Sequence, residues 1–427
     1  MKISGYSGTE DLGALVKRPL HEALELEGKV QKVLDTVREK GDEALIDFTR
    51  KFDGVELDSL KYLQSEVKDY TNRVSAELRE ALQKAYNNIF TFHHSQKSDS
   101  QKIETMPGVF CWREDRAIEK VGLYIPGGTA PLVSTVLMLG VPARVAGCEE
   151  VVLCTPPDKG GKINPAILYA AELCGINNIY SVGGAQAIAG MAFGTESIPK
   201  VDKIFGPGNQ YVTCAKMLVQ RSGIAIDMPA GPSEVLVWCD DGANPSFVAS
   251  DLLAQAEHGV DSQVMVVCES RHFATQIQEA VELQLSSLPR KEIAREVLKN
   301  SRIIIANAEN AIEVINEYAP EHLIIQRKNL SQGINDIVNV GSVFLGPFTP
   351  ESAGDYASGT NHTLPTNGYA RTYSGVSLDS FVKKVTFQEI SRSGLEGLEK
   401  VISPMAEAEE LEAHKRAVLI RLGKVFE

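Results

Sequence analysis

The sequence predicts an α/β protein with parallel sheets, arranged as two α/β domains with a helical N-terminal segment and a helical C-terminal tail. From Val121 onward, short β-rich runs alternate with helical segments, and this alternation is typical of parallel sheets with helices on their faces. Seven or more strands are more than one small sheet needs, which favours two domains. Apolar residues at helical spacing also occur before this part, at about 24–52 and 65–96, and near the C-terminus, at 402–424.

The predicted strands are residues 121–125, 150–154, 178–182, 202–206, 234–238, 263–268 and 302–306. The predicted helices are residues 24–52, 65–96, 164–175, 244–259, 271–285, 308–318 and 402–424, the last as one helix or two. The predicted division is an N-terminal segment (1–20), one domain (21–123 with 234–376), a second domain (124–233) and a tail (377–427).

Composition indicates a soluble globular protein, since 43% of the 427 residues are apolar and 23% are charged. A net charge of −13 argues against a nucleic-acid partner, which requires a basic surface. No run resembles a signal peptide or reaches the ~18 apolar residues of a membrane span. The seven cysteines are scattered and form no C-x-x-C pair, so we expect free thiols and a cytoplasmic protein.

Three glycine-rich turns follow predicted strands, at residues 124–131, 182–190 and 205–211. Open α/β sheets bind ligands at the carboxyl ends of their strands. None of the turns matches the G-x-G-x-x-G fingerprint of dinucleotide-binding proteins. They are interpreted either as tight connections or, because three occur in succession, as the walls of a cofactor crevice.

The stretch 244–259 predicts a helix that carries two polar side chains near its end. Asn244 is a good N-cap and Pro245 suits the first helical position. Gln255 and His258 are three residues apart and would share one face of the last turn. They are either metal ligands or a satisfied histidine beside a hydrogen-bonding amide.

Two further polar groups lie at the ends of predicted strands or helices. Ser233 enters a strand after Gly231 and Pro232, and Glu321 and His322 follow Pro320. Adjacent residues on a regular strand point to opposite faces, so the proline must leave Glu321 and His322 on a turn if both serve one site. The alternative is a polar loop end.

The segment 351–366 has no apolar periodicity and is predicted to be a functional loop. Its polar residues are Glu351, Asp355, Asn361 and His362. His93 and His94 are interpreted as surface or interface residues, because adjacent histidines point to different sides of a helix.

Eight segments together closely resemble the histidinol dehydrogenase family: GLYIPGGTAPL, VGGAQAIAG, VDKIFGPGN, AGPSEVLV, LLAQAEHG, PEHL, GDYASGTNHTLPT and EAEELEAHK. The resemblance covers nearly the whole chain. It implies two Rossmann-like domains similar to those of aldehyde dehydrogenases. The domain of residues 124–233 would bind NAD⁺, the other domain would carry zinc and the acid–base residues, and the tail would mediate dimerisation.

The resemblance also implies a set of site residues. The zinc ligands would be Gln255, His258, Asp355 and His414; the acid–base pair Glu321 and His322; the NAD⁺ contacts Tyr124, Gln186 and Asn209; and the substrate contacts Ser233, His362, Glu409 and His322 together with the zinc ligands. Glu409 and His414 lie about 140° apart on a straight helix. Either the helix is broken there or Glu410 is the residue that faces the site.

The implied reaction takes L-histidinol through L-histidinal to L-histidine with two NAD⁺, in the last steps of histidine biosynthesis. The implied assembly is a homodimer in which the tail of one subunit completes the site of the other. No cysteine lies in a motif that calls for a thiolate. Two alternatives remain at this point: a metal-dependent hydrolase and a catalytically inactive binding homologue.

Overall fold

The computed structural model describes residues 1–18, 23–127, 131–229 and 231–424. It confirms the predicted α/β class with parallel sheets. The chain forms two compact units, the first from Met1–Gln96 with Ile118–Phe381 and the second from Lys97–Ala117 with Val382–Glu427. Both parallel sheets belong to the first unit, and the four-part domain division proposed from the sequence stays a prediction.

The strands are β1 (Lys2–Gly5), β2 (Ile103–Met106), β3 (Val109–Ala117), β4 (Lys120–Tyr124), β5 (Glu150–Thr155), β6 (Asn178–Ser181), β7 (Lys203–Phe205), β8 (Ala225–Ile226), β9 (Glu234–Cys239), β10 (Gln263–Cys268), β11 (Arg302–Ile305), β12 (His322–Gln326), β13 (Ser342–Leu345) and β14 (Val382–Ile390). The helices are α1 (Leu12–Leu15), α2 (Ala23–Lys40), α3 (Asp42–Phe52), α4 (Gln64–Thr71), α5 (Ala76–His94), α6 (Val133–Ala146), α7 (Pro165–Cys174), α8 (Gly184–Phe193), α9 (Gln210–Val219), α10 (Pro245–Ala256), α11 (Arg271–Leu285), α12 (Lys291–Lys299), α13 (Ala308–Tyr318), α14 (Glu351–Tyr356), α15 (Arg392–Ala408) and α16 (Glu412–Arg421).

The first parallel sheet has six strands in the order β1-β11-β10-β9-β12-β13. Its central strands, EVLVWC in β9 and QVMVVC in β10, are buried at every position, as expected for strands covered on both faces. Val235 and Val237 pack with α10, α11 and α12 on one face. Leu236 and Trp238 pack with α13 on the other.

The second parallel sheet has five strands in the order β6-β5-β4-β7-β8. Val121 and Leu123 of β4 share a core with α6 and α7, whereas the strand residue Val152 shares a core with α2, α8 and α9. The β4 glycine Gly122 lies close to the Met191 side chain of α8, so a Cβ at this position would force that side chain to move.

The second unit contains an antiparallel sheet, β14-β3-β2, followed by α15 and α16. The sequence reasoning did not predict these strands. Their two long members pair along their whole length, from Val382 opposite Ala117 to Ile390 opposite Val109. Glu410, with φ +58°, lies between α15 and α16, so the tail forms two helices, as one of the two predicted options required.

The predicted strands are confirmed with ends shifted by one residue or less. Two long predicted helices are each divided, the first at Gly41, where φ is +55°. The prediction that 351–366 is entirely loop is wrong, because α14 occupies its first six residues. The helix predicted over 244–259 ends at Ala256. No helix of the described residues has the length and apolarity that crossing a membrane requires.

Candidate active site

Glu321 and His322 lie at the amino-terminal end of β12, next to the first residue of β9. The backbone N–H of Glu234 donates to Glu321 Oε2 at 2.8 Å. The backbone carbonyl of Glu234 lies 3.1 Å from His322 Nδ1. Glu321 precedes the regular strand, as the preceding proline predicted, so both side chains reach the same side of the chain.

Three carboxylates surround the His322 imidazole. Its Nδ1 lies 3.6 Å from Glu321 Oε2 and 4.0 Å from Glu351 Oε1. Its Nε2 lies 3.7 Å from Asp355 Oδ1. Nε2 is buried and makes no hydrogen bond within the described residues. A buried polar atom without a partner is rare in folded proteins and is often found where a ligand or substrate binds.

A set of potential cation ligands borders this imidazole. One ligand atom each from His258, Glu351 and Asp355 lies within 4.8 Å of the others. Gln255 is fully buried, and the amide orientation that satisfies its neighbours directs the nitrogen to the Glu351 carboxylate. The amide oxygen is then the atom not committed to Glu351. Oxygen and imidazole donors of this kind fit a divalent cation such as zinc.

Local structure explains how these ligands meet. Gln255 is in the last turn of α10, and His258 lies two residues beyond the helix end. The face-sharing argument made from the sequence is therefore wrong for His258, which reaches the site from the turn and not from the helix. Glu351 and Asp355 are four residues apart in α14 and so share a helix face.

Glu351 is the site residue that sequence reasoning left without a role. It was noted only as one polar member of a predicted loop. The available signal was its i to i+4 spacing from Asp355, which has meaning only once the segment is recognised as a helix. With Glu321, Glu351 and Asp355 together, the site holds three carboxyl groups.

Burial and mutual repulsion set the pKa values in this cluster. Burial opposes protonation of His322, but Glu351, Glu321 and Asp355 outweigh it and raise the pKa to about 10. Burial raises the pKa of Glu321 to about 8 and that of Glu351 well above its ordinary value. Burial acts to raise the pKa of Asp355, but His322 and neighbouring imidazoles lower it overall. Carboxyl groups crowded in this way favour a cation. We refer to Gln255, His258, Glu321, His322, Glu351 and Asp355 as the acid–base cluster.

His362 connects this cluster to the second parallel sheet. Its Nδ1 lies 4.0 Å from Asp355 Oδ1, and its Nε2 lies 3.3 Å from the hydroxyl of Thr135 on α6. Burial lowers the pKa of His362 to about 4, so the ring is neutral at physiological pH. The preceding Asn361 donates to the Met138 carbonyl at 2.6 Å.

His93 contacts the loop that carries Asn361 and His362. Its Nε2 lies 3.3 Å from the Asn361 amide nitrogen, and its Nδ1 lies 3.1 Å from Gln96 Oε1. His93 is fully buried, so its assignment as a surface or interface residue is wrong. His94 is exposed, as predicted.

The three glycine-rich turns meet at the carboxyl ends of β4, β6 and β7. The Tyr124 hydroxyl accepts a hydrogen bond from the Gly184 N–H at 3.1 Å. Gly206, with φ +127°, lies against the Tyr124 carbonyl, where a Cβ would overlap it. We refer to residues 124–127, 182–190 and 205–211 as the glycine turns. Residues 128–130 of the first predicted turn lie outside the described residues.

The other predicted NAD⁺ contacts lie in these turns. Gln186 is buried against Gly184, and Asn209 caps α9 through its side chain. A buried ion pair supports the third turn: Lys216 Nζ lies 2.5 Å from Asp227 Oδ1, and each side chain is 1% exposed. Lys216 also donates to the Gly206 carbonyl, while Asp227 accepts from the Gly206 N–H.

The remaining predicted residues are placed as follows. Ser233 is half-buried and immediately precedes Glu234 at the start of β9. Glu409 and His414 belong to the second unit and are exposed there. They flank the break between α15 and α16, which removes the straight-helix objection to Glu409.

A parallel α/β fold with glycine turns at its strand ends, together with a buried cluster of carboxyl groups and imidazoles, is compatible with a dehydrogenase-type oxidoreductase. The histidinol dehydrogenase family profile matches residues 16–422. A histidinol dehydrogenase of Bacteroides fragilis strain YCH46 is 56% identical over 426 residues, covering 100% of both chains. A histidinol dehydrogenase of Vibrio parahaemolyticus is 53% identical, covering 97% of this chain and 96% of the relative.

The crystal structure of histidinol dehydrogenase from Elizabethkingia anophelis superimposes with a TM-score of 0.97 at 54% identity, covering 99% of this chain and 98% of that one. The chain belongs to the histidinol dehydrogenase family. It is an NAD-dependent oxidoreductase of histidine biosynthesis, as the resemblance of its motifs predicted.

Proposed function

We propose that the chain oxidises L-histidinol to L-histidine through L-histidinal, with one zinc ion and two successive NAD⁺ per turnover, in the cytoplasm. The observation that supports this most directly is the unpartnered, buried Nε2 of His322, surrounded by acid–base and cation-binding groups. The glycine turns lie at the carboxyl ends of three strands, where open α/β sheets bind ligands, and would form the crevice for the nicotinamide cofactor.

Gln255, His258 and Asp355 would hold the zinc together with His414, and Tyr124, Gln186 and Asn209 would contact NAD⁺. When bound, the zinc would hold the imidazole and amino nitrogens of histidinol and offset the carboxylates that raise the pKa of His322, while NAD⁺ would accept hydride. Ser233, His362 and Glu409 would contact the substrate. Acid should release the zinc, because histidine ligands bind metal only when unprotonated.

His322 would take the hydroxyl proton in the first oxidation. Its Nδ1 is fixed by the Glu234 carbonyl, so Nε2 is the nitrogen that faces the substrate. The imidazole lies among Glu321, Glu351 and Asp355, which stabilise its protonated form. A base held in one orientation beside the reacting hydroxyl is what proton transfer requires.

Glu321 would activate the water that adds to the aldehyde carbon. The hydrate then loses a second hydride to NAD⁺ and both of its hydroxyl protons and becomes the carboxylate. Burial raises the Glu321 pKa to about 8, near the pH at which a general base is most effective. The hydrogen bond from the Glu234 N–H fixes one carboxylate oxygen and leaves the other to contact water.

We propose a direct attack of water with no covalent thiol intermediate. Burial raises the pKa of Cys154 well above its ordinary value, and it raises those of Cys148, Cys174 and Cys268 to about 12. Burial likewise raises the pKa of Cys239 well above its ordinary value. A thiol held in its protonated form is a poor nucleophile.

Production of NADH with histidinol tests this function against the hydrolase and the inactive homologue. Two NADH per histidine formed support four-electron oxidation. A hydrolase would release product without NADH, and an inactive homologue would bind histidinol without turnover. Absence of NADH at every metal loading would contradict the proposal.

We further propose that the active site is completed across a homodimer by His414 and Glu409 of the partner subunit. Both residues are exposed on the second unit, where they are available to another chain. A mixture of two inactive variants, His258→Ala and His414→Ala, tests this. In a hybrid dimer one site would regain both histidines, so activity should reappear after subunit exchange. If His414 serves its own subunit, every hybrid stays inactive.

A further inference from the structure

Arg18 hydrogen-bonds to two chain segments next to Glu321 and His322, namely the start of β9 and the end of α13. Its Nε donates to Glu234 Oε1 at 2.5 Å and its Nη2 to Glu234 Oε2 at 2.7 Å, which is a bidentate pair. The same Nη2 donates to the Tyr318 carbonyl at 2.6 Å. The guanidinium also lies over the Tyr318 ring, 4.2 Å from its centroid. Tyr318 ends α13, three residues before Glu321.

The backbone of Glu234, whose side chain Arg18 holds, contacts both acid–base residues. Its N–H holds Glu321 and its carbonyl holds His322. Its carboxylate has a further donor, the Asn367 N–H at 2.9 Å. The side chain is buried, and its carboxylate is held by Arg18 and by the Asn367 N–H. Glu234 therefore orients the pair through its peptide groups.

A buried ion pair adds little net stability to a fold, because the cost of desolvating the charges offsets most of their attraction. A bidentate arginine, however, fixes a carboxylate in one plane and position. Here the fixed carboxylate belongs to the residue whose peptide groups hold the acid–base side chains. The same guanidinium nitrogen also holds the segment that carries those side chains.

We propose that Arg18 is a positioning residue. It acts through Glu234 and the Tyr318 carbonyl to hold Glu321 and His322 in the positions that catalysis requires. The proposal rests on the function proposed above for that pair. It assigns a catalytic consequence to the N-terminal segment, which is more than 300 residues from the pair in sequence. Misplacing reacting groups by ~1 Å costs roughly 10²-fold in rate.

Arg18 is open to chemical rescue. Among the described residues it lines a surface cavity of about 510 Å³, together with Lys17, Asn367, Gly368 and Arg371. The guanidinium is partly exposed to this cavity, with 18% of the side chain accessible. A small alkylguanidinium could therefore enter the space that truncation of Arg18 leaves.

The test compares Arg18→Ala with Lys17→Ala, a matched control at an exposed neighbour that lines the same cavity. We expect Arg18→Ala to lower kcat roughly 10²-fold for both histidinol and histidinal, with KM for histidinol and zinc content unchanged. Millimolar ethylguanidinium should restore part of kcat in Arg18→Ala and leave the wild type unchanged, whereas ethylammonium should restore less. An unchanged kcat per folded Arg18→Ala enzyme, or an equal loss in Lys17→Ala, would overturn the proposal.

Two further measurements keep the test independent of folding and of the substrate assignment. Arg18→Lys retains the charge and loses the bidentate contact, so it should fold and still lose most of kcat; full activity of this variant contradicts the proposal. The chain has only eight histidines, so the His322 Nδ1 proton can be assigned in ¹⁵N-histidine spectra by its loss in His322→Gln. This resonance should shift in Arg18→Ala and not in Lys17→Ala. The shift would support the positioning role even if wild-type enzyme failed to oxidise histidinol, and its absence would refute the role even if it succeeded.

Discussion

The acid–base cluster and the glycine turns lie at opposite ends of the strands. The cluster is formed by side chains, whereas the turns are formed mainly by backbone. The turns lie at the carboxyl ends of β4, β6 and β7 and are shaped by backbone, as at Gly206, where no side chain fits. The cluster lies where β9 and β12 begin and consists of charged or polar side chains. In the proposed function, the glycine turns would bind the cofactor and the acid–base cluster would supply protons and metal ligands.

This difference predicts how substitutions should affect each region. Substitutions in the cluster should abolish chemistry and leave the fold intact, because its side chains converge from separate elements. Substitutions behind the glycine turns should disturb stability and cofactor affinity together, because there the shape of the backbone is the site. The predictions below test this division.

The largest effect is expected for His258→Ala, which removes a ligand of the cluster. The variant should lose bound zinc and nearly all activity while its circular dichroism stays that of the wild type, because His258 lies in a turn beyond α10 and not in the core. Metal analysis after gel filtration measures this. His272→Ala, at an exposed histidine of α11, is the control and should keep its zinc. Stoichiometric zinc in His258→Ala would refute the ligand assignment.

Glu321→Gln should leave metal and fold in place and slow the second oxidation by roughly 10²–10⁴-fold, the range for loss of a general base. The first oxidation should suffer less, because His322 remains. Single-turnover rates starting from histidinol and from histidinal separate the two steps. Equal slowing of both would assign Glu321 to a role shared by the two oxidations.

Lys216→Met tests the support of the glycine turns. Breaking the buried pair leaves Asp227 charged and unpaired, so the free energy of unfolding should fall by about 3–5 kcal/mol. The KM for NAD⁺ should rise, because Lys216 also holds the Gly206 carbonyl. Urea denaturation and initial rates measure the two effects.

Two controls sharpen that result. Lys216→Met with Asp227→Asn removes both charges and should recover most of the lost stability. Lys299→Met breaks an exposed pair with Glu296 and should cost at most about 1 kcal/mol. A loss as large in Lys299→Met as in Lys216→Met would show that burial of the pair is not the cause.

The contrast between the glycine turns and the acid–base cluster also explains how much of the structure the sequence could predict. Strands such as β9 and β10 are continuous apolar runs, and the glycine turns are contiguous motifs, so both were recognisable locally. Glu351 was missed because α14 is a helix of only six residues with no apolar periodicity. Arg18 was missed because its partner Glu234 is 216 residues away, and no local pattern records such a contact.

The smallest effect is expected for Tyr124→Phe, which removes one neutral hydrogen bond between two glycine turns. The Gly184 N–H loses its acceptor, at a cost of about 1 kcal/mol, so the KM for NAD⁺ should rise about fivefold with kcat and zinc content unchanged. Tyr180→Phe is the matched control, because within the described residues the buried Tyr180 hydroxyl has no hydrogen-bond partner. An equal effect of the two substitutions would mean that the turns are held by packing alone. A fall in kcat without a change in KM would mean that Tyr124 acts on the chemistry, and the separation between the two regions would then fail.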